Sequence, residues 1–381
     1  MLNYLWINIV QTALRGLPFP TRTGLIPIGN PGRNSPVFLT CNFRLTVERV
    51  KRSLKGMDAW LLVANSRGIN VWCAATGGKF THHDVISILK TSGIEAQVDH
   101  RRVVLPQLAA TGIEPRIVRE KTGWHCLWGP VYAQDIPAFV RQNFHKTREQ
   151  SRVRFSLSQR LEMAVMWAFP FHVISALILL FVWPGAILPL TLLLWGLSLG
   201  IFLAFPWLER WLNPQKKGMK FSSYTVLFDL SRLPLILWGA FLAGTLLVMT
   251  WQGTFTWSHF GHWALASFAI VLLLSIDLMG STPTYKSGLH EDRFYTVELD
   301  LERCKGAGFC EQVCPRDVYV VDHRHKTASQ PRKDLCVQCG ACIVQCPFDA
   351  LRFRTPDGDT IEPETIRTYK LNLLGQRAAR I

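Results

Sequence analysis

The sequence predicts a multi-domain chain in three parts: an α/β domain, an α-helical transmembrane bundle, and a small α+β domain organised around cysteines. Three observations lead to this division. Charged residues are dense toward both ends of the 381-residue chain and scarce between about 163 and 280. Within that gap lie apolar stretches long enough to cross a bilayer. Seven of the ten Cys fall between 304 and 346, at spacings that suit metal ligands rather than disulfides. The expected boundaries are an N-terminal extension at 1–24, the α/β domain at 25–155, a transmembrane domain of about four helices at 156–283, the cysteine domain at 295–355 and a basic tail at 356–381.

Composition supports the membrane part. Fourteen Trp and 22 Phe, with a positive mean hydropathy, describe a membrane protein carrying soluble portions. A net charge of +15 would attract phosphate, but many of the cations flank the apolar stretches. Arg152, Arg154 and Arg160 precede the first, and Arg210, Lys216, Lys217 and Lys220 follow the second. That is the pattern of cytoplasmic loops, so no nucleic-acid partner is expected. Met1 to Val10 is apolar but short and lacks a charged leader, so no cleavable signal is expected.

Crossing the hydrocarbon takes about 20 apolar residues as helix, because lipid cannot satisfy a bare amide. Four stretches qualify: Ala164 to Val182, Ala186 to Phe205, Leu233 to Trp251, and His262 to Met279. With the basic flanks inside, four crossings return the C-terminus to the cytoplasm, and both soluble parts share that compartment at the inner membrane. Phe221 to Arg232 reads either as an interfacial helix or as the start of a longer tilted span. His172, in the first stretch with no second His at helical spacing nearby, is expected to pack rather than to ligate.

The cysteines form an internal repeat. A shift of 32 residues carries Cys304 onto Cys336, Cys310 onto Cys342, Cys314 onto Cys346, Pro315 onto Pro347, Gly308 onto Gly340 and Asp317 onto Asp349. The second copy, Cys336, Cys339, Cys342, Cys346 and Pro347, is the complete run of a bacterial two-cluster ferredoxin, in which the fourth Cys of each run ligates the other cluster. One 4Fe-4S cluster is therefore expected on Cys336, Cys339, Cys342 and Cys314. The first copy has Ala307 where the repeat calls for a thiolate, which leaves Cys304, Cys310 and Cys346. The second cluster is then either 3Fe-4S or 4Fe-4S with an open iron, and the two centres should differ in potential. A zinc ribbon would need two ligand pairs for one ion, which this register does not provide.

Between about 25 and 145, short apolar runs alternate with polar helical stretches: Val37 to Thr40, Val47 to Leu54, Ala59 to Ala64, Asn70 to Ala74, His83 to Thr91, Val103 to Leu105, and Trp124 to Trp128. Interleaved strands and helices indicate an α/β layer, whose ligands gather at the carboxyl ends of the strands. The loops available there are Thr40 to Phe43, Cys73 to Lys79, Pro106 to Thr111 and Gly129 to Ala133. On its own pattern, Asn70 to Ala74 reads as an apolar strand ending in a buried Cys. Cys41 and Cys126, also in apolar strands, are expected to be buried.

The runs IGNPGRNSPVFLT (28–40), GMDAWLLVANSRGINVWCAA (56–75), VVLPQLAATGIE (103–114) and WGPVYAQDIPAFV (128–140) together resemble the corrinoid protein of the mercury-methylation pair. That family is distantly similar to the corrinoid iron–sulfur protein of acetyl-CoA synthesis. The resemblance continues through the apolar region to GSTP at 280–283, and the companion ferredoxin, usually a separate polypeptide, here looks fused. INVWCAA resembles the family's cap-helix motif. The resemblance implies a corrinoid-binding-like α/β domain in which Cys73 approaches the lower face of a cobalamin-like corrinoid as axial ligand. Asn70 either orients the Cys73 loop by hydrogen bonding or is an ordinary turn residue after Ser66, Arg67 and Gly68; Trp72 is counted with the pocket, and Thr40, Pro106, Gln107 and Gly129 are candidates to line it, although Pro and Gly there also suit turns. It departs from the family where Thr76 and Gly77 precede Gly78 and Lys79, in place of a direct Gly-Lys, and at Ala307.

The function implied is membrane-anchored, corrinoid-dependent methyl transfer, with the attached ferredoxin reducing cobalt and Hg(II) or another soft species as acceptor. Its expected partners are membrane lipid, a methyl-donor methyltransferase and an upstream electron donor. The alternative is a membrane-bound iron–sulfur electron carrier whose N-terminal domain is only a docking module. The tail from Arg367 to Arg380, with four basic and no acidic residues, reads as a lipid-touching segment or a frayed helix.

Overall fold

The computed structural model describes residues 2–212, 232–281, 295–355 and 358–370. The chain separates into two compact units, one formed by Met1–Asn8, Leu17–Val153 and Tyr295–Ile381, the other by Ile9–Gly16 and Arg154–Phe294. Helix α1 (Leu2–Ala13) contributes to both.

The first unit begins with a five-stranded sheet of β1 (Gly24–Ile28), β2 (Val37–Cys41), β3 (Ala59–Ala64), β4 (Arg102–Leu105) and β5 (His125–Trp128), in the order β1-β3-β2-β4-β5. The last four run parallel, and β1 lies antiparallel along the outside of β3. Central β2 is buried at every residue, as a strand covered on both faces must be. Helices α2 (Arg44–Ser53), α3 (Val71–Thr76), α4 (His82–Thr91), α5 (Ile94–Gln97), α6 (Pro115–Thr122) and α7 (Ile136–Arg141) connect and cover the sheet. Two apolar cores result, one containing Leu39, Leu62, Val85 and Leu105, the other Phe38, Leu61, Val104 and Phe139.

This architecture matches the expected α/β layer with two differences. β1 was not anticipated, and Asn70 to Ala74 is not a strand: Val71–Thr76 is helix. The reason is local. Asn70 sits at the helix N-cap in extended geometry and its side chain accepts from the Cys73 amide, while Ala74 and Ala75 turn wholly inward. Cys41 is fully buried in β2, and Cys126 is half-buried in β5 with its thiol pushed up to about 12 by burial.

In the second unit, α8 (Leu157–Val182) opens with a capping box between Ser156 and Gln159. It is followed by α9 (Ile187–Leu203), α10 (Phe205–Leu212), α11 (Arg232–Trp251) and α12 (Trp257–Ser281). Small residues Ala164 and Ala168 on α8 let Leu194, Leu197 and Ile201 of α9 approach, and the buried Ser198 hydroxyl donates to Ala164 O at 2.9 Å. Trp238 Nε1 ties α11 to Ser267 Oγ of α12 at 2.8 Å.

Three helices are long and apolar enough to cross a membrane: Leu157–Val182, Pro184–Leu203 and Trp257–Leu274, while Ile236–Trp251 is a shorter apolar helix. Three of the four anticipated stretches thus reach full length among the described residues. Their outward residues are apolar, for example Phe181, Leu188 and Leu265. His172 accepts or donates at 3.3 Å with Thr191 Oγ1 and lies edge-on to Trp195, a packed role. The ambiguous segment Phe221 to Arg232 falls outside the described residues except at its last position.

The first unit is completed by the cysteine-bearing domain. Strand β6 (Thr296–Leu299) pairs with β9 (Leu351–Arg354), which pairs with β10 (Thr360–Ile361). A small hairpin joins β7 (Val320–Asp322) and β8 (Thr327–Ser329). Helices α13 (Phe309–Val313) and α14 (Ala341–Gln345) stand 32 residues apart, like their cysteines. The repeat extends to the backbone: Gly308 and Gly340 take φ of +81° and +74°, and Asp317 and Asp349 take +55° and +52°.

The domain does not stop near 355. β10 extends its sheet and α15 (Pro363–Tyr369) packs on it, burying Ile366. The expected basic tail is therefore part of the fold as far as Lys370. Arg367 holds Asp349 and donates to Cys346 O, and Lys370, almost wholly buried, reaches Glu114 at 3.4 Å. Positions 371–381 lie outside the described residues.

Candidate functional site

Four segments converge at the carboxyl edge of the parallel strands. Thr40 is the last residue but one of β2, Pro106 and Gln107 follow β4, Gly129 follows β5, and the loop after β3 leads to Asn70 at the N-cap of α3 and to Trp72 and Cys73 on it. Cys73 is the exposed residue of a helix whose Val71, Ala74 and Ala75 are buried.

Asn70 grips Cys73 twice. Its Oδ1 accepts the Cys73 amide at 3.0 Å and its Nδ2 donates to Cys73 Sγ at 3.4 Å. One side chain thus caps the helix and aims the sulfur. Thr76 closes the other end, its hydroxyl donating to Trp72 O at 2.8 Å. An outward thiol on a helix fixed by buried alanines suits a soft, polarizable metal centre approaching from the open side. That donor chemistry fits cobalt of a corrinoid.

The remaining pocket candidates are less open. Thr40 and Gln107 are almost fully buried. Gln107 is committed elsewhere: its Nε2 donates to Ser151 O at 2.8 Å and its Oε1 accepts from Lys146 Nζ at 2.6 Å. At Gly129 a Cβ would stand 2.9 Å from Val104 Cγ1, so the residue serves close packing of β4 and β5. Lys146 also donates to Gln312 O at 2.9 Å, and burial lowers its ammonium to about 7.

The seven clustered cysteines separate into two groups. Cys342 interacts electrostatically with Cys339, Cys336 and Cys314, and Cys314 with Cys339. Cys310 interacts with Cys346 and Cys304, and more weakly with Cys314.

Burial pushes the thiols up, Cys310 to about 12 and Cys314 to about 11, and Cys342 is raised for the same reason. Like-charged neighbours add to the effect. Bound cationic iron would offset such a concentration of thiolates. The surroundings are built for that: Val318 N donates to Cys314 Sγ at 3.4 Å, Gln338 N to Cys336 Sγ at 3.3 Å, and the buried Tyr319 hydroxyl to Cys342 Sγ at 3.2 Å. Donors to sulfur stabilise thiolate and tune a cluster's potential. The donor set fits an iron–sulfur cluster.

The three-cysteine group opens on a cavity lined by Ala307, Cys304, Cys310, Cys346, Phe309 and Phe348, among others. Its loop is pinned at Gly306, where φ is +64° and a Cβ would lie 2.5 Å from the Lys326 backbone. Ala307 thereby lines the cavity beside the three thiols.

Contacts that the sequence did not signal join the two domains of this unit. Thr111 Oγ1 donates to Cys339 O at 2.7 Å, and Gln345 Nε2 donates to Ala110 O and Ile113 O, each at 2.7 Å. Val153 N donates to Pro315 O at 2.8 Å, and Asp317 binds Arg148 at 2.6 Å and Arg332 at 3.2 Å. Val313, Cys339 and Ala341 enter the apolar core of the α/β domain.

Comparison with known proteins agrees with both halves of this unit. Residues 10–140 match the CO dehydrogenase/acetyl-CoA synthase delta subunit family, and residues 330–352 match the 4Fe-4S binding domain family. The acetyl-CoA decarbonylase/synthase complex subunit gamma of Archaeoglobus fulgidus is 36% identical over 129 residues, 33% of this chain and 27% of that protein. Its counterpart in Methanocaldococcus jannaschii is 36% identical over 131 residues, 34% of this chain and 26% of that protein. The corrinoid/iron-sulfur protein large subunit of Moorella thermoacetica is 30% identical over 129 residues, 33% of this chain and 28% of that protein. The chain spans little more than a quarter of the length of these relatives. It carries a domain of the CO dehydrogenase/acetyl-CoA synthase delta subunit family, shared with subunits of acetyl-CoA decarbonylase/synthase complexes, and a 4Fe-4S ferredoxin domain.

Proposed function

We propose that this chain is a membrane-anchored corrinoid protein that accepts a methyl group and passes it on, with its own ferredoxin as reductant. The observation that carries the proposal is the outward thiol of Cys73, fixed by Asn70 on an otherwise buried helix, in a domain of this family. When bound, a corrinoid would supply a cobalt centre able to carry methyl and, once methyl has left with its bonding pair, to be reset by two electrons delivered one at a time, while the chain's residues would set ligation, burial and orientation.

Cys73 supplies the soft donor. Asn70 holds its Sγ outward and keeps the helix from fraying, and Ala74 and Ala75 fix the height of the helix above the core. Cys336, Cys339, Cys342 and Cys314 hold one cluster, and Cys304, Cys310 and Cys346 the other. Cys73 would offer a soft sulfur donor suited to a cobalt centre that gives up methyl to an electrophilic acceptor. Hg(II) or another soft species is the proposed acceptor, and a separate methyltransferase the proposed donor. The apolar outward faces of α8, α9 and α12 support anchoring in the inner membrane, with both soluble domains on the cytoplasmic side.

Anaerobically purified protein should contain cobalt near one per chain, with a corrin absorption band that Cys73→Ala alters. Iron and sulfide without cobalt, and no uptake of added cobinamide or cobalamin, would leave only a tethered electron carrier. Transfer from the methylated cofactor to Hg(II), measured beside transfer to thiols, decides the acceptor. Resistance of the protein to alkaline extraction from membranes tests the anchor.

A further inference from the structure

The ferredoxin is not symmetrically placed on the α/β domain. The main-chain carbonyl of Cys339, in the four-cysteine group, accepts the Thr111 hydroxyl at 2.7 Å. Gln345 of α14 clamps the same loop by donating to Ala110 O and Ile113 O. The next residue, Gly112, is pressed against the back of α3: a Cβ there would lie 3.1 Å from both Ala75 Cα and Ala75 O and would collide with Phe80 O. Ala75 is two residues from Cys73 on the same short helix. A continuous run of packed and hydrogen-bonded groups therefore leads from Cys339 through Thr111 and Gly112 to the Cys73 helix.

Of the three-cysteine group, Cys346 follows Gln345 at the edge of this seam, but among the described residues Cys304 and Cys310 make no hydrogen bond to the α/β domain. The group's cavity is lined only by residues of the ferredoxin domain, from Leu299 to Leu351. Two of those residues, Phe309 and Phe348, are 40% and 45% exposed, so this end faces outward.

We infer that the ferredoxin is a fixed, directional relay: the four-cysteine group is its delivery end, held behind the Cys73 helix by Thr111, Gly112 and Gln345, and the three-cysteine group is its intake end. A single electron makes the passage. A low-potential one-electron carrier is oxidised at the outer group, and the same electron is handed to the inner group and onward, with no proton or chemical group transferred. The missing thiolate at Ala307 thus lies at the intake, and the fully ligated centre lies next to the site it serves. This rests on Cys73 as the working residue, but its test needs no corrinoid.

The experiment uses the full chain, purified anaerobically with clusters loaded and without corrinoid. A nitroxide is attached at exposed Cys73. Cys41 is fully buried and the Cys126 thiol, pushed up to about 12, resists a reagent that needs thiolate at neutral pH. Each cluster is made paramagnetic in turn and the relaxation of the label is read. Ala307→Cys identifies the outer signal, because it alters only that centre.

The inner cluster should relax the label strongly and the outer one weakly. Thr111→Val and Gln345→Leu should each loosen the docking and remove much of the inner cluster's effect without changing either cluster's own spectrum, and Thr111→Ser should restore it. Equal relaxation by both clusters, stronger relaxation by the outer one, or no response to either substitution overturns the relay. If the relay holds while the protein takes up no corrinoid, the fault lies with the methyl-carrier reading instead.

Discussion

Asn70→Ala is the sharpest perturbation of the Cys73 helix, because one side chain makes two separable contacts there. Its Oδ1 accepts the Cys73 amide at 3.0 Å and its Nδ2 donates to the sulfur at 3.4 Å. Loss of an N-cap of this kind costs about 1 kcal/mol, and in a helix of six residues no further turns dilute the effect. That cost corresponds to a roughly fivefold increase in local opening. The sulfur contact adds less, since thioether and thiol sulfurs accept hydrogen bonds weakly. Hydrogen exchange followed on a peptide covering 68–80 should therefore speed up about fivefold in Asn70→Ala, a value set by the cap energy. Asn70→Ser keeps a cap oxygen but cannot reach the sulfur, so exchange should stay near the wild type while alkylation of Cys73 slows for want of a donor to its thiolate. Unchanged exchange in Asn70→Ala would refute the argument that this residue, rather than packing of the alanines alone, makes the segment helical.

Further outcomes follow from the seam and the clusters. Lys146 has a folded pKa near 7 against an ordinary value of 10.5, so the unfolded chain binds more protons between those values and stability should rise with pH from about 7 upward; Lys146→Gln should abolish that rise in a pH series of thermal unfolding. For Asp317, burial pushes the carboxyl up, but the hydrogen bond from Arg148 and the charges of Arg332, Arg148 and Arg152 outweigh it and hold it below its usual range. Its contribution is therefore complete above the unfolded pKa and lost as pH falls through the folded one, and Asp317→Asn should cost about 2 kcal/mol at neutral pH but little in acid, read from cluster release on heating. Ala307→Cys should bring iron and sulfide to the content of two complete 4Fe-4S centres and remove any 3Fe signal after oxidation. Unaltered iron content in that variant would mean that the fourth corner is already filled by another group.

Much of this arrangement is legible in the residues, and the parts that are not have physical reasons. The 32-residue repeat is legible because thiolate ligands must recur with the backbone turns that present them, and Gly308 with Gly340 shows those turns. Strands β2, β3 and β4 stand out because burial on both faces demands unbroken apolar runs. β1 escaped notice because it is an edge strand carrying Pro27 opposite Trp60, and a proline inside a short run argues against a strand unless it lies at an edge. The Cys73 segment misled for a different reason: Val71 and Trp72 favour strands, and only the cap from Asn70 and the inward alanines reverse the preference. The seam was invisible, since Thr111 and Cys339 are 228 residues apart and Lys370 lies 256 from Glu114. Such contacts carry no local pattern.

Under the proposed function, the seam between the α/β and ferredoxin domains would also change the supply of reducing power. A ferredoxin on a separate chain reaches its client by diffusion, and its occupancy depends on how much of each is made. Here Lys370, Gln345, Thr111 and Asp317 tie the ferredoxin domain to the α/β domain, which under the proposed function would replace an encounter with an effective concentration in about the millimolar range or above. Abundance would then set total capacity but not the ratio of reductant to site, which stays at one to one in every molecule.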